Sequence, residues 1–377
     1  MKIFQRLIVC FGMLFFYPIM AQSILKGKVV DQYAQVVEGV TVMVDGSSLS
    51  TTTDQQGNFQ IQFPNGQHAL VFRHEGFELK RITVNAQYLT PIVVTMVEKI
   101  IELEQANIRA MSREDWEYYY QIFKSNFLGI DQPAKQCKIL NPNILRFNYE
   151  PENRVLTASA REPLIVENLY LGYRIEYDLS EFMMDYKSQY LLVIGSSYFQ
   201  ELKASKSKQN KWQKNRKKAY LGSFTHFLKS VYDDKINENG FDVKRLIREE
   251  NPAYTEAVER IKKGESNIIV PRSKTIAYLV NQPVPIDSLV QRKANQVMMN
   301  FEGLYSVEYT LEKEDIDYVK NIKHQNLFGN QVSLFSLKSP IELTPEGYYV
   351  NPGDVILEEY WTWEKFAHLL PIDYVLN

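Results

Sequence analysis

The chain has 377 residues, long enough to bury a sizeable core, with 43 Lys and Arg against 45 Asp and Glu. That near-neutral balance, formally −2, gives no global pull on nucleic acid. The 24 Tyr and 20 Phe suit wide, half-buried sheets.

The chain opens on a leader. Lys2 and Arg6 precede an uncharged run at 7–20, LIVCFGMLFFYPIM. Fourteen residues at 1.5 Å each fall well short of the roughly 30 Å a membrane-spanning helix must cover. A basic start, a short apolar core and Ala21 at the cut read as a secretory signal peptide over 1–21. Ile19 is bulkier than the small residue expected two positions earlier, so the exact cut stays open. Cys10 is no lipidation site, because Val9 stands where such a cut needs a small residue. Once the leader is removed, Cys137 is alone, and a lone thiol closes no internal bridge. Its setting, QCKILNP, reads as the start of a strand rather than as an activated nucleophile.

Short strands follow in close succession: KGKVV, GVTVMVDG, GNFQIQF, HALVFRH, FELKRITV and PIVVTMV. Between them lie Asp45-Gly46, the 54–57 turn, Pro64-Asn65-Gly66 and Glu75-Gly76, where Gly and Asn accept positive φ and close tight hairpins. Phe59, Ile61 and Phe63 alternate with Asn58, Gln60 and Gln62, a period of two that puts one face on a core. Such spacing predicts a small β-sandwich.

These residues also carry a resemblance. Gly27, Gly39, Val42, Val44, Gly46, Thr53, Asp54, Gly57, Phe59, Gly66, Leu70 and the Gly76-Phe77 pair resemble, in order and spacing, the carboxypeptidase-D regulatory-like domain, a transthyretin-like sandwich. The stretch departs from relatives at Gln35 to Val37, where Gly-Pro is common, and at Val40, where Ala is common. The resemblance implies a non-catalytic module, of a kind that accompanies peptidases and often precedes outer-membrane transport barrels. Lipid-facing strands with aromatic girdles are not evident downstream.

After EKIIELEQANI, a last strand or linker, a helix is predicted from Ser112, with Asp115 as a capping partner and Gly129 at its end. Trp116, Tyr119, Tyr120, Phe123 and Phe127 share one helical face, expected to be core. ILRFNYEPENRVLTASA reads as a hairpin turning at Pro151-Glu152-Asn153. In LGYRIEYDL, Leu171, Tyr173, Ile175, Tyr177 and Leu179 face in, while Arg174, Glu176 and Asp178 face water. A long strand is expected over 190–202. Helices are expected from Ser223, from about Val243, and from Pro252, the last with Asn251 as N-cap and Gly264 at its end. Strands resume at LYSVEYTL, QVSLFSL and an IELTPEGYYV hairpin; Trp361 and Trp363 alternate on one face, a core pattern. Segments such as NFLGIDQPAKQCKILNP, RKKAYLGSFTHFLKS and YWTWEKFAHLLPIDY resemble the body of exported Bacteroidota-type proteins that pair it with a carboxypeptidase regulatory-like domain. That resemblance implies no assigned activity.

Motifs for familiar chemistries are missing. The five His (His68, His74, His226, His324, His368) begin neither His-x-x-Glu nor His-Glu-x-x-His, which argues against a zinc peptidase; no metal and no cofactor is expected. Gly-x-Ser-x-Gly and phosphate-cradling Gly loops are absent too. Ser223 is better explained as a helix N-cap than as a nucleophile beside His226 and Tyr220. One charge feature stands out: KASKSKQNKWQKNRKK at 203–218 holds Lys203, Lys206, Lys208, Lys211, Lys214, Arg216, Lys217 and Lys218, no acid, and Trp212 inside. It reads either as a contact for an anionic membrane surface or as a solvated hairpin tip before the Ser223 helix.

The expected architecture is therefore a signal peptide (1–21), an all-β transthyretin-like sandwich (22–108) and an α+β domain with a mainly antiparallel sheet (109–377). The expected role is non-catalytic binding or scaffolding in the cell envelope, in the periplasm or at the outer membrane, with an envelope protein or glycan as partner and no nucleic acid. The alternative is an envelope hydrolase, directed at peptide or glycan, whose site in the second domain no linear motif reveals.

Overall fold

A computed structural model describes residues 23–63, 65–88, 90–99, 111–294, 296–325 and 327–376. The predicted signal peptide and most of the linker after the sandwich lie outside these residues.

Seven strands build the sandwich: β1 (Ser23–Asp31), β2 (Thr41–Val44), β3 (Ser50–Thr52), β4 (Asn58–Phe63), β5 (Gln67–Arg73), β6 (Lys80–Asn85) and β7 (Ile92–Met96). One sheet runs β4-β1-β7, with β1 and β7 parallel; the other runs β3-β2-β5-β6, antiparallel throughout. The period of two places Leu25, Val29, Val42, Val44, Phe59, Ile61, Leu70, Phe72, Val94 and Met96 in one core between the sheets. In β5, however, the alternate residues Ala69 and Val71 are buried as well, with Met43 opposite Val71 on β2. Arg73, on the same side of β5, meets Glu176 and Asp178 of the remaining chain. The second sheet is thus covered on both faces, and the body of the protein is its outer cover.

That body starts with α1 (Arg113–Leu128). Ser112 caps it as expected: its Oγ accepts from Asp115 N at 3.0 Å and donates to the Asp115 carboxylate at 2.7 Å. Phe123 and Phe127 are buried from this helix, while Trp116, Tyr119 and Tyr120 are packed at the margin. They cover a sheet of β8 (Cys137–Ile139), β9 (Leu145–Glu150), β10 (Val155–Ala160), β11 (Leu164–Asn168), β12 (Tyr173–Asp185) and β13 (Tyr190–Glu201). The long β12 is its spine: one edge pairs first with β11 and then with β10, while the other pairs with β13 along its length, with a bulge between Leu179 and Glu181. Tyr173, Ile175, Tyr177 and Leu179 point into the core. Glu176 and Asp178, expected to be wet, instead face the sandwich and bind Arg73.

Next come α2 (Lys206–Tyr220), α3 (Phe224–Tyr232), β14 (Phe241–Glu250), α4 (Pro252–Lys262), β15 (Thr275–Leu279), β16 (Val290–Lys293), β17 (Gln296–Met299), β18 (Leu304–Lys313), β19 (Asn330–Leu337), β20 (Ile341–Leu343) and β21 (Val355–Glu359). A five-stranded antiparallel sheet, β15-β14-β18-β19-β21, and a three-stranded one, β16-β17-β20, share a second core with α3, built on Phe227, Phe241, Met299, Phe335 and Trp361.

Further expectations need correcting. The helix expected from about Val243 is strand β14: Phe241 and Val243 are buried and alternate with Asp242 and Lys244, because pairing with β18 outweighs the helical propensity of the Lys- and Arg-rich stretch. The basic run at 203–218 is no hairpin tip; it is mostly helix α2. The IELTPEGYYV hairpin keeps only its first strand, β20, and Trp361 and Trp363 sit in a single helical turn, Tyr360–Trp363, although both are buried as expected.

Candidate functional site

Helix α2 is fixed by what it buries. Trp212, Arg216, Ala219 and Tyr220, spaced i, i+4, i+7 and i+8, form its inner face. They close over the turn that joins β11 to β12. Trp212 Nε1 donates to the Leu169 carbonyl at 2.8 Å, Asn215 Nδ2 to Tyr170 at 2.7 Å and Arg216 Nε to Leu171 at 2.8 Å. Three successive carbonyls that no strand pairs are thereby satisfied. Gly172 ends the turn at φ +78°, directly beneath the Trp212 indole. The Arg216 guanidinium lies 4.0 Å from the centre of the Tyr173 ring and forms an ion pair with Glu201.

Of the candidate contact residues, then, Trp212 and Arg216 do not face solvent; both are consumed in seating the helix. Lys203, Lys206, Lys208, Lys211, Lys214, Lys217 and Lys218 are all exposed. Lys203 precedes the helix, and Lys208, one turn before Trp212, lays its ammonium over that indole 5.2 Å from the ring centre; Lys206, Lys211, Lys214, Lys217 and Lys218 occupy the arc away from the buried face. No acidic residue interrupts them, so the outer face of α2 is a continuous cationic surface. Beside it, a groove of about 600 Å³ runs between α2 and the C-terminal segment, lined by Tyr173, Glu201, Gln213, Lys214, Lys217 and Asp373, with Ser48 reaching in from the sandwich.

The same C-terminal segment ties the sandwich to the body. Gly46, at φ +74°, donates to the Ser197 carbonyl at 2.8 Å and accepts from Ile372 N at 2.7 Å; Phe199 N donates to Ser47 O at 2.9 Å. The Asp45 carboxylate accepts from Ser197 N at 3.0 Å and meets Arg81 at 3.3 Å. Burial nevertheless pushes the Asp45 carboxyl above its ordinary range, against those two partners. The Asp45-Gly46 turn, legible as a hairpin signal, is therefore also a docking element.

Titratable groups gather at a second place. His368 Nε2 stands 2.5 Å from Asp131 Oδ2, whose other oxygen accepts from Ala134 N at 2.9 Å. Burial pulls His368 down, but the Asp131 hydrogen bond and the Glu364 carboxylate outweigh it and hold the ring above its ordinary value. Burial pushes Glu364 up to about 7, although part of its surface still reaches solvent and His368 opposes the shift. Asp131 and His368 are 237 positions apart, so no local pattern could have joined them. Neither this group nor its neighbour Glu312 lines the groove beside α2.

The remaining candidates are settled by their bonds. His226 Nδ1 accepts from Gly222 N at 3.2 Å, while Ser223 Oγ takes the backbone N–H of His226, so hydroxyl and ring are not paired. Burial pushes His226 down to about 4. Burial likewise drives the Cys137 thiol up to about 12. Among the described residues no three His, Cys, Asp or Glu side chains gather as metal ligands. Also among them, no helix is long and apolar enough to cross a membrane.

With this geometry in view, comparison with known proteins decides the first module. Residues 25–108 match the family model of the CarboxypepD_reg-like domain. The β-sandwich of β1 to β7 is thus a carboxypeptidase regulatory-like domain, on about a fifth of the chain. No curated protein matches the chain. Among solved structures, the Bacillus anthracis TIE protein aligns at 10% identity and TM-score 0.18, over 49% of this chain and 32% of its own. The chain thus spans about a third of that protein's length. A DUF3823 family protein from Bacteroides ovatus aligns at 13% identity and TM-score 0.18, over 49% of this chain and 83% of its own. A Bacteroides fragilis protein of unknown function, provisionally named as membrane-associated, aligns at 8% identity and TM-score 0.17, over 90% and 95%. Such low TM-scores transfer neither fold nor function.

Proposed function

We propose that this is an exported, non-catalytic cell-envelope protein, at work in the periplasm or at the outer membrane, that seats itself on an anionic membrane surface through the outer face of α2. The observation that carries the reading is the outer arc of five exposed lysines, Lys206, Lys211, Lys214, Lys217 and Lys218, on a helix whose apolar and guanidinium groups are all committed inward. Each lysine held near such a surface contributes roughly 1 kcal/mol, screened over a Debye length of about 10 Å at 0.1 M salt. Half of the arc is enough for measurable attachment. The regulatory-like domain, docked on the opposite side of the β12–β13 sheet from α1, is left to hold a protein or glycan partner.

Flotation with vesicles of mixed phosphatidylglycerol and phosphatidylcholine tests it. Wild-type protein is expected to bind at low salt and to release steeply as salt rises. Lys211→Gln, Lys214→Gln, Lys217→Gln and Lys218→Gln together should abolish binding with the melting temperature unchanged, since none of these side chains seats the helix. Wild-type protein that ignores anionic vesicles at about 50 mM salt, where screening is weak, defeats the reading. The hydrolase reading draws on one observation, the Asp131–His368–Glu364 group. It is the weaker of the two, because Asp131 is occupied by His368 and the Ala134 N–H, and the described groove does not reach it.

A further inference from the structure

Strand β15 is the outermost strand of the five-stranded sheet, and residues 272–279 are exposed without exception. Its partner β14 pairs with β18 only as far as Leu246, opposite Leu304. From Ile247 onward, β14 and β15 form a two-stranded ribbon. A two-stranded ribbon wetted on both faces is marginal in water; a third strand is what normally steadies it. The register says which backbone groups are free. Asn251 N donates to Lys274 O at 2.9 Å and Val280 N to Arg245 O at 2.9 Å, so residues 274, 276, 278 and 280 bond inward to β14. Thr275, Ala277 and Leu279 consequently turn their N–H and C=O groups outward. Ser273 Oγ covers both groups of Thr275, donating to its carbonyl at 2.6 Å and accepting from its N–H at 3.3 Å, which leaves the Ala277 and Leu279 groups open.

Natural edge strands are protected by charge, proline or a bulge. The free end of β14 has such protection in Arg248, Glu249 and Glu250. Strand β15, TIAYL, has none, and exposes Ile276, Tyr278 and Leu279 at 44%, 48% and 45%.

We infer that β15 is a homodimer edge, which pairs antiparallel with β15 of a second copy about a two-fold axis at Ala277. The axis follows from the register. Ala277 of one copy exchanges both bonds with Ala277 of the other, and Leu279 of each copy meets Thr275 of the other, taking the place of the Ser273 hydroxyl on its backbone groups. The smallest side chain of the strand falls on the axis, where two copies of it are opposed. Ile276 comes opposite Tyr278 on each side, a β-branched and aromatic pair of the kind that stabilises neighbouring strands. Charge selects the antiparallel sense: it carries Arg272 and Lys274 of the two copies to opposite ends of the joint ribbon, whereas parallel pairing sets them side by side. The result is a four-stranded ribbon with an isologous interface.

Light scattering on the eluting wild-type protein, over a concentration series reaching about 100 μM, should give twice the chain mass at the upper end. Ala277→Pro removes only an outward N–H and is compatible with an edge strand, so it should give the single chain mass with an unchanged melting temperature. Tyr278→Lys leaves every backbone group in place and should also give the monomer, which keeps the test decisive if the proline variant misfolds. A wild-type protein that stays monomeric across the series overturns the inference. So does a Tyr278→Lys variant that dimerises like wild type.

Discussion

The seating of α2 is open to a sharp test at Gly172. An alanine there meets two penalties of separate origin. At φ +78° any L side chain is strained by about 1–2 kcal/mol. The new methyl would also fall on the indole of Trp212, 2.7 Å from Cε2 and closer to Cδ2, where no real contact is tolerated. The indole is buried and must move as a rigid plate, which breaks its bond to the Leu169 carbonyl and leaves a buried polar group unpaired at about 1–3 kcal/mol. The smaller backbone entropy of unfolded alanine returns about 0.5 kcal/mol. Gly172→Ala should therefore cost about 2–4 kcal/mol in urea unfolding followed by far-UV circular dichroism. The decisive comparison is with Trp212→Ala as background. With the indole gone, only the backbone strain less the same entropy return remains, so Gly172→Ala should then cost about 0.5–1.5 kcal/mol. Equal costs in the two backgrounds would refute the reasoning, because they would show that glycine is required by the turn alone and not by α2.

Two further outcomes follow from the interface and from α3. Arg73→Ala removes the counter-charge of Asp178, whose carboxyl burial already pushes up, and of Glu176, and should cost about 3 kcal/mol. In calorimetry this should appear as an earlier, separate transition of the sandwich, and a single unshifted transition would contradict it. His226, pushed down to about 4 by burial, takes its proton near pH 6.5 once unfolded, so the unfolded state binds more protons between those values. The stability this contributes is full above pH 6.5 and drains as pH falls to 4, by up to about 3 kcal/mol. His226→Asn keeps an acceptor for Gly222 N without titrating and should flatten the stability profile over that window; an unchanged slope would place the proton uptake elsewhere.

Much of the fold was legible because its signals are local. The alternation in NFQIQF, the Gly turns of the sandwich, the Ser112 and Asn251 caps and the inward row from Leu171 to Leu179 all appear where the sequence placed them. One error was also correctable from local pattern. In the basic run, Trp212, Arg216, Ala219 and Tyr220 keep helical spacing, which the density of lysine obscured. In HALVFRH, burial on both faces was a finding of the structure, and the apolar run from Ala69 to Phe72 is the local pattern that goes with it.

By itself the sequence determined which segments alternate, which turn, and which residues seek burial, since these depend on neighbours a few positions away. What each buried face meets was decided only by the tertiary structure. Arg73 finds Asp178 across 105 positions, and Asp131 finds His368 across 237. The Asp45-Gly46 turn becomes a docking element only once β13 and the C-terminal segment are folded beside it. Strand β15 and the α2 lysines are polar or apolar runs like many others until packing leaves one with an open backbone edge and the other with its only apolar face spent. The physical reason is that propensity and periodicity act within a few residues, whereas burial and charge pairing depend on distances through space that the chain sets only when it closes.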